Sequence, residues 1–164
     1  MLAADDPFLC HAFLSALHDT GCACADTGWE PLYLTLWHNG DLCGALPLYL
    51  KHHSRGEYVF DYVWAEAFER HGLRYYPKLL SAVPFTPVSG ARLLATSDEQ
   101  RLLLAQAAIE LAQNMGVSSL HMLFTHQADA ALLRKTGYQL REGVQFHWHN
   151  QQYTSFDDYL AGID

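Results

Sequence analysis

The stretch at residues 51–61, KHHSRGEYVFD, gathers residue types that bind anions and move protons. Five of its side chains could hold a phosphate or a carboxylate by charge or hydrogen bonding, namely Lys51, His52, His53, Ser54 and Arg55. Glu57 and Asp61 could act as general bases toward an attacking amine, as acyl transfer to an amine requires. The alternative is a solvated loop in which a carboxylate caps the helix that follows.

A second candidate group begins where the next strand is expected, at YYPKLL. Tyr75 and Tyr76 could bind a sugar or a peptide, and Lys78 could pair with a phosphate. The alternative is an aromatic core with one lysine whose stem is buried and whose amine reaches solvent. Thr86 lies between two prolines and could hydrogen-bond either a substrate or the local backbone. If the chain is an enzyme, we expect its catalytic residues to be Glu57, Asp61 and Lys78.

A last strand is expected at QLREGVQFHWHN, where apolar and polar residues alternate. The alternation predicts an apolar face and a polar face, formed by Val144, Phe146 and Trp148 and by Gln145, His147 and His149. His147 and the following Asn150 could line a substrate cleft, or they could be exposed polar residues. Paired histidines with His121 or His126 could ligate a metal, but no acid at suitable spacing accompanies them, so no metal is predicted.

The cysteines do not form a metal-binding pattern. Cys22 and Cys24 lack the two-residue spacer of a zinc knuckle, and no second pair follows them. Cys10 and Cys43 are isolated. Reduced thiols in a cytoplasmic protein are therefore expected.

The first half of the chain predicts a helix, a hairpin and a second helix. The helix DDPFLCHAFLSALHDTG has Asp6 as its cap. The hairpin turns at Asn39-Gly40 between strands at 33–37 and 42–50, and Pro47 marks an edge or a bulge. The second helix, DYVWAEAFERHG, places Val63 with Ala67 and Phe68 on one face.

The second half predicts strands at YYPKLLSAVPF, ARLLA and VSSLHMLF, and a short helix at QADAALLRKTGY. The clearest helix is SDEQRLLLAQAAIELAQNMG, with Ser97 as cap, Gln100 completing a capping box and Gly116 at the end. Residues 151–164 begin one more helix, capped by Thr154 or Ser155. This order of elements favours an α/β fold with a mixed sheet and helices on both of its faces.

One strand-to-helix junction, SAVPFTPVSGARLLATSDEQ, stands where a phosphorylated cofactor would bind. Pro84 and Pro87 have no N–H to offer a phosphate, and Gly90 is the single glycine. The helix start carries two acids and a self-capping serine, which would repel a diphosphate. Arg92 is the only cation within this stretch. Acetyl-CoA is therefore disfavoured.

Composition narrows the classes of partner. The chain has 164 residues and a formal net charge of −8, so it should not bind nucleic acid by itself. No apolar run reaches the length of a membrane span, and the N-terminus does not resemble a signal peptide.

Several segments carry a family resemblance. ADAALLRKTGYQLRE, after a long helix and a strand, resembles the segment that GNAT acyltransferases place after their cofactor loop. A closer resemblance, over nearly the whole chain, is to the FemAB-like branch of peptidoglycan biosynthesis or recognition proteins. The segments PFLCHAFLSALHDTG, GEYVFD, YYPKLL, VPFTPV and QFHWHN carry it.

The resemblance implies a GNAT-like N-acyltransferase fold in one domain over 1–164. It also implies transfer of an acyl or aminoacyl group to an amine of a bacterial cell-wall precursor. The donor stays open between aminoacyl-tRNA and acyl-CoA, and no tightly bound cofactor is expected. Members of this branch continue past FDDYLA into a second, similar lobe. We therefore expect an N-terminal lobe that ends in a truncated helix at 151–164 and pairs with a second lobe or with itself. The alternatives are a non-catalytic lobe that binds a peptide or sugar precursor, and a true acetyl-CoA enzyme.

Overall fold

The computed structural model describes residues 6–163 as five helices and seven short strands. The helices are α1 His11–Asp19, α2 Tyr62–Arg70, α3 Asp98–Met115, α4 Gln127–Lys135 and α5 Phe156–Ala161. The strands are β1 Glu30–Pro31, β2 Leu34–His38, β3 Asp41–Leu46, β4 Tyr49–Lys51, β5 Lys78–Ser81, β6 Leu94–Ala95 and β7 Leu120–Met122. The chain is thus of the mixed α/β class, as predicted.

The strands form two sheets rather than the single central sheet expected. The larger sheet has the order β1-β4-β5-β7 and is mixed, because β5 and β7 run parallel while the other neighbours are antiparallel. The smaller sheet is antiparallel, with the order β2-β3-β6. The main apolar core packs the smaller sheet against α3 and α4, and includes Leu46, Leu104 and Leu133.

The predicted hairpin is present, but its second strand is divided. Asn39 and Gly40 both have positive φ, as a two-residue hairpin turn requires. The strand after the turn ends at Leu46, and the chain resumes as β4 in the other sheet. Pro47 lies at this break because it has no N–H to give to a strand ladder.

Helix α3 follows the prediction closely. The Ser97 hydroxyl accepts a hydrogen bond from the backbone N–H of Gln100 at 3.3 Å, and Gly116 ends the helix in the left-handed conformation. The capping box is only half formed, since the Gln100 side chain accepts from the Thr96 hydroxyl instead. At the last helix, Ser155 is the cap; its hydroxyl accepts from the backbone of Asp158 at 3.1 Å.

Three local predictions were wrong. Residues 139–152 contain no strand, because no neighbouring strand offers them a ladder of hydrogen bonds. Helix α1 begins after Cys10 and not after Asp6, whose carboxylate accepts from the nearby Phe8 N–H. Val63 is 74% exposed, so the expected apolar face of α2 does not lie in the core. Among the described residues, the helices are too short or too polar to span a bilayer.

Candidate functional site

Two lysines lie opposite each other inside the larger sheet. Strands β4 and β5 pair with Lys51 directly across from Lys78, and neither side chain is more than 1% exposed. A buried ammonium must be paired or must lose its charge. Glu57 and Asp61 supply the opposite charges, and they are also buried. We call these four residues the charge cluster.

Lys78 lies at the centre of the charge cluster. Its Nζ donates to Ser54 Oγ at 2.8 Å, to Glu57 Oε2 at 2.8 Å and to Asp61 Oδ2 at 2.5 Å. An ammonium has three protons, so its donors are fully used. The alternative expected from sequence, an amine reaching solvent, is wrong because three acceptors hold it in the interior.

Asp61 occupies the N-cap position of α2, yet its carboxylate makes no capping hydrogen bond. It turns inward, where Oδ2 accepts from the Tyr75 hydroxyl at 2.7 Å as well as from Lys78. Burial raises its pKa, but hydrogen bonds from Lys78, Ser54 and Tyr75 outweigh burial and leave the pKa below its usual value. Asp61 is therefore ionised near neutral pH, and the solvated-loop alternative is wrong for this residue.

Glu57 has the opposite balance. Burial raises its pKa, and the nearby charges of Lys78 and Lys51 only partly oppose that rise. A carboxylate whose proton affinity lies nearer to neutral pH is better suited to accept a proton than an ordinary glutamate. The two acids of the charge cluster thus differ in their protonation: Asp61 keeps its charge, and Glu57 is able to accept a proton.

Lys51 is less well paired than Lys78. Its Nζ lies 3.7 Å from the centre of the Trp29 ring, donates to the Arg55 carbonyl at 3.3 Å and stays 4.0 Å from Glu57 Oε1. Burial lowers the pKa of Lys51 to about 8. Lys51 therefore loses its charge more readily than an ordinary lysine.

A chain of hydrogen-bonding groups extends the cluster toward β7. His121 Nε2 lies 2.8 Å from Ser119 Oγ and 3.5 Å from the Tyr75 hydroxyl. Desolvation lowers the pKa of His121 to about 4, so the ring is neutral near pH 7. On the other side, Tyr76 bonds Ser54 through their hydroxyls at 2.8 Å.

The loop between β4 and α2 delivers Glu57 to the interior. Gly56 and Tyr58, on either side of Glu57, have positive φ, which turns the chain sharply at this point. A Cβ on Gly56 would lie 2.6 Å from the Phe85 ring, so a larger residue would displace that ring. The requirement for glycine here follows from both the backbone angle and the close approach.

Most of the candidate residues predicted from sequence converge at this place. The structure brings together Lys51, Ser54, Glu57, Asp61, Tyr75, Tyr76 and Lys78. Sequence reasoning missed Trp29 and Ser119, and it considered His121 only as a metal ligand. Position on β7, parallel to β5 and opposite Leu80, is what places His121 here, and a single sequence does not reveal that pairing.

The other candidates lie apart from the cluster. Arg55 contributes its carbonyl, while its side chain is exposed, and the Nδ1 of His53 accepts from the Arg55 N–H. Thr86 donates to the Pro84 carbonyl at 3.0 Å, which is the backbone role considered for it. His147 and Asn150 are exposed on residues 139–152, and Asn150 bonds the backbone of Tyr153.

The candidate cofactor junction is used by the protein itself. Arg92 is 1% exposed, and its guanidinium donates to four backbone carbonyls. Asp129 accepts from the N–H groups of Arg92 and Leu93 at 2.6 and 3.1 Å. The cation of the junction is therefore engaged in holding the chain together. Among the described residues no group of three or more potential metal ligands occurs, and the four cysteines are free thiols.

Comparison with known proteins places the chain in one family. No curated protein matches the chain, and no solved structure matches it. A family model described as peptidoglycan biosynthesis/recognition matches residues 1–164. The chain therefore belongs to the FemAB-like family, whose members are associated with peptidoglycan biosynthesis or recognition.

Proposed function

We propose that this protein is an N-acyl or aminoacyl transferase domain that acts on an amine of a peptidoglycan precursor. The family supports a peptidoglycan-related substrate. The single observation that carries the chemistry is the buried contact of Lys78 with both Glu57 and Asp61. Burial raises the pKa of Glu57, and hydrogen bonds from Lys78, Ser54 and Tyr75 keep Asp61 ionised, as a base and its positioning partner need.

In this reaction the amine nitrogen forms a bond to the acyl carbon of the donor. Glu57 accepts the proton that the amine loses and passes it to the donor's alcohol or thiol as that group leaves. Lys78 holds both carboxylates in place and supplies positive charge near the developing oxyanion. Asp61 fixes Lys78 and the Tyr75 hydroxyl, and so acts as a positioning residue.

The donor is proposed to be an aminoacyl-tRNA or an acyl-CoA other than acetyl-CoA. The self-capped start of α3 and the engaged guanidinium of Arg92 support this choice, because neither group offers free donors to a pyrophosphate. We further propose a GNAT-like fold that pairs with a second lobe or another copy. The four free cysteines support a cytoplasmic location.

A transfer assay tests the proposal. Purified protein is incubated with a peptidoglycan precursor bearing a free amine and with pooled aminoacyl-tRNAs or acyl-CoAs, and the mass gained by the precursor is measured. Glu57→Gln should lower the rate by about a hundredfold or more, because an amide cannot accept the proton. The control is Glu142→Gln, at an exposed position. Equal rates for wild type and Glu57→Gln would overturn the assignment.

A second function, a non-catalytic lobe that binds a precursor, is favoured by one observation. The four side chains of the charge cluster are at most 3% exposed, so they are closed to bulk solvent in this conformation. Precursor binding without any mass gain, unaffected by Glu57→Gln, would establish this alternative.

A further inference from the structure

The charge cluster holds a concentration of buried polar atoms that make no hydrogen bond. In the described part of the chain five buried side-chain atoms lack such a partner. Two of them, Glu57 Oε1 and Asp61 Oδ1, belong to the cluster, and a third, Trp29 Nε1, is on the ring that faces Lys51. Buried polar groups are nearly always paired, so two unpaired carboxylate oxygens in one cluster point to a place where a ligand could bind.

Neither lysine of the charge cluster donates a hydrogen bond to these two carboxylate oxygens. Lys78 already donates its three protons to Ser54 Oγ, Glu57 Oε2 and Asp61 Oδ2. Lys51 Nζ stays 4.0 Å from Glu57 Oε1, which is beyond hydrogen-bond length. Both oxygens are therefore free to accept from a further donor, and ionised carboxylates bond most strongly to charged donors.

We propose that Glu57 Oε1 and Asp61 Oδ1 form the binding site for a primary ammonium group, which donates one hydrogen bond to each oxygen. The site rests on the proposed function, because the bound ammonium is the protonated form of the acceptor amine. It releases one proton to solvent before its nitrogen attacks, and the proton lost during the attack is the one that Glu57 accepts. A quaternary ammonium has the charge but no N–H, so it does not fit.

The charges around the site accommodate a third cation. With Glu57 and Asp61 ionised, Lys78 balances one negative charge and the bound ammonium balances the other. Lys51 is the group that loses its positive charge, because burial already favours its neutral form. Binding of the ammonium is therefore coupled to loss of a proton from Lys51. The positive charge of Arg55 also lowers the pKa of Lys51.

Access to the two oxygens lies through the loop between β4 and α2. Residues 52–60 form no regular helix or strand, and the side chains of Tyr58 and Phe60 are 58% and 73% exposed. Glu57 is carried by this loop, so displacement of the loop both opens the site and moves the base toward the incoming amine.

The test is a titration of the wild-type protein observed through the carboxyl carbon resonances of Glu57 and Asp61, labelled with carbon-13. Methylammonium should shift both resonances saturably, and tetramethylammonium at equal ionic strength should shift neither. Asp61→Asn should weaken methylammonium binding by about tenfold or more, because a charged hydrogen bond is lost. The control Asp157→Asn, at an exposed position, should leave binding unchanged.

The outcomes separate this inference from the proposed function. Equal shifts with both cations, or none with methylammonium, would overturn the ammonium site even if transfer activity is found. Selective binding of methylammonium without any transfer activity would uphold the site and overturn the transferase. If Asp61→Asn does not fold, the wild-type titration still decides.

Discussion

Residues 49–81 place charges inside the protein, whereas residues 139–163 place aromatic rings outside it. Lys51 and Lys78 are at most 1% exposed, while Phe146 is 96% exposed. In the first region each buried charge lies within 4.0 Å of an opposite charge supplied by another element. In the second, Trp148 stacks on Tyr153 and meets Tyr159 edge-on, and no strand of the described residues covers them.

The difference between the two regions follows from the cost of burying a charge. Burying a charge demands several elements that converge with accurate geometry, since an unpaired buried ion is far more costly than an exposed ring. The charge cluster receives side chains from β4, β5, the loop between β4 and α2, and the start of α2. Substitutions in the two regions should therefore have very different effects on stability.

The largest effect is expected for Lys78→Met. The change leaves the Glu57 and Asp61 carboxylates buried without their shared cation, which should lower the free energy of unfolding by about 3–5 kcal/mol. Urea denaturation measures it, and Lys135→Met at an exposed position is the matched control. Adding Glu57→Gln and Asp61→Asn to Lys78→Met should restore part of the loss. A decrease below about 1 kcal/mol would show that the carboxylates are solvated.

A smaller effect is expected for Lys51, and it appears in how the free energy of unfolding depends on pH. Burial lowers its pKa from 10.5 to about 8 in the folded protein. Between these values the unfolded chain binds more protons than the folded one, so the free energy of unfolding rises with pH. The rise should amount to about 2 kcal/mol between about pH 8 and about pH 9.5, below the pH at which the tyrosines of the unfolded chain are half ionised.

Lys51→Met should remove that rise while leaving stability near neutral pH little changed, because Lys78 still pairs with Glu57. Thermal or urea unfolding at several pH values measures both quantities. A rise with pH that persists in the variant would assign the titration to another group. The contrast between the two lysines is the sharper test, since they face each other across the same sheet.

The sequence predicted the composition of the charge cluster better than its form. Residue types and spacing in KHHSRGEYVFD and YYPKLL were enough to nominate both acids and Lys78. Their burial could not be predicted, because it depends on β4 pairing with β5 and on two left-handed residues around Glu57. Local preference alone favours a solvated loop there.

The error at residues 139–152 has the same origin. Alternation at Val144, Phe146 and Trp148 satisfies the pattern of a half-buried strand, but a strand exists only where a neighbour supplies its ladder. Helix α3 was predicted well because its cap, its glycine end and its hydrogen bonds are all local. Sequence patterns thus determine local elements, while contacts between distant segments determine which of them are completed.

The smallest effect on stability is expected in the aromatic region, for Phe146→Ser. A side chain that is 96% exposed loses almost no buried area on truncation, so the free energy of unfolding should change by less than about 0.5 kcal/mol. Urea denaturation at low protein concentration measures the change, beside Leu104→Ala as a buried control that should cost about 2–5 kcal/mol. A loss above about 1 kcal/mol for Phe146→Ser would mean that the ring is covered in solution. In that case residues 139–152, like the charge cluster, would be buried by contacts with other residues, and the contrast between the two regions would fail.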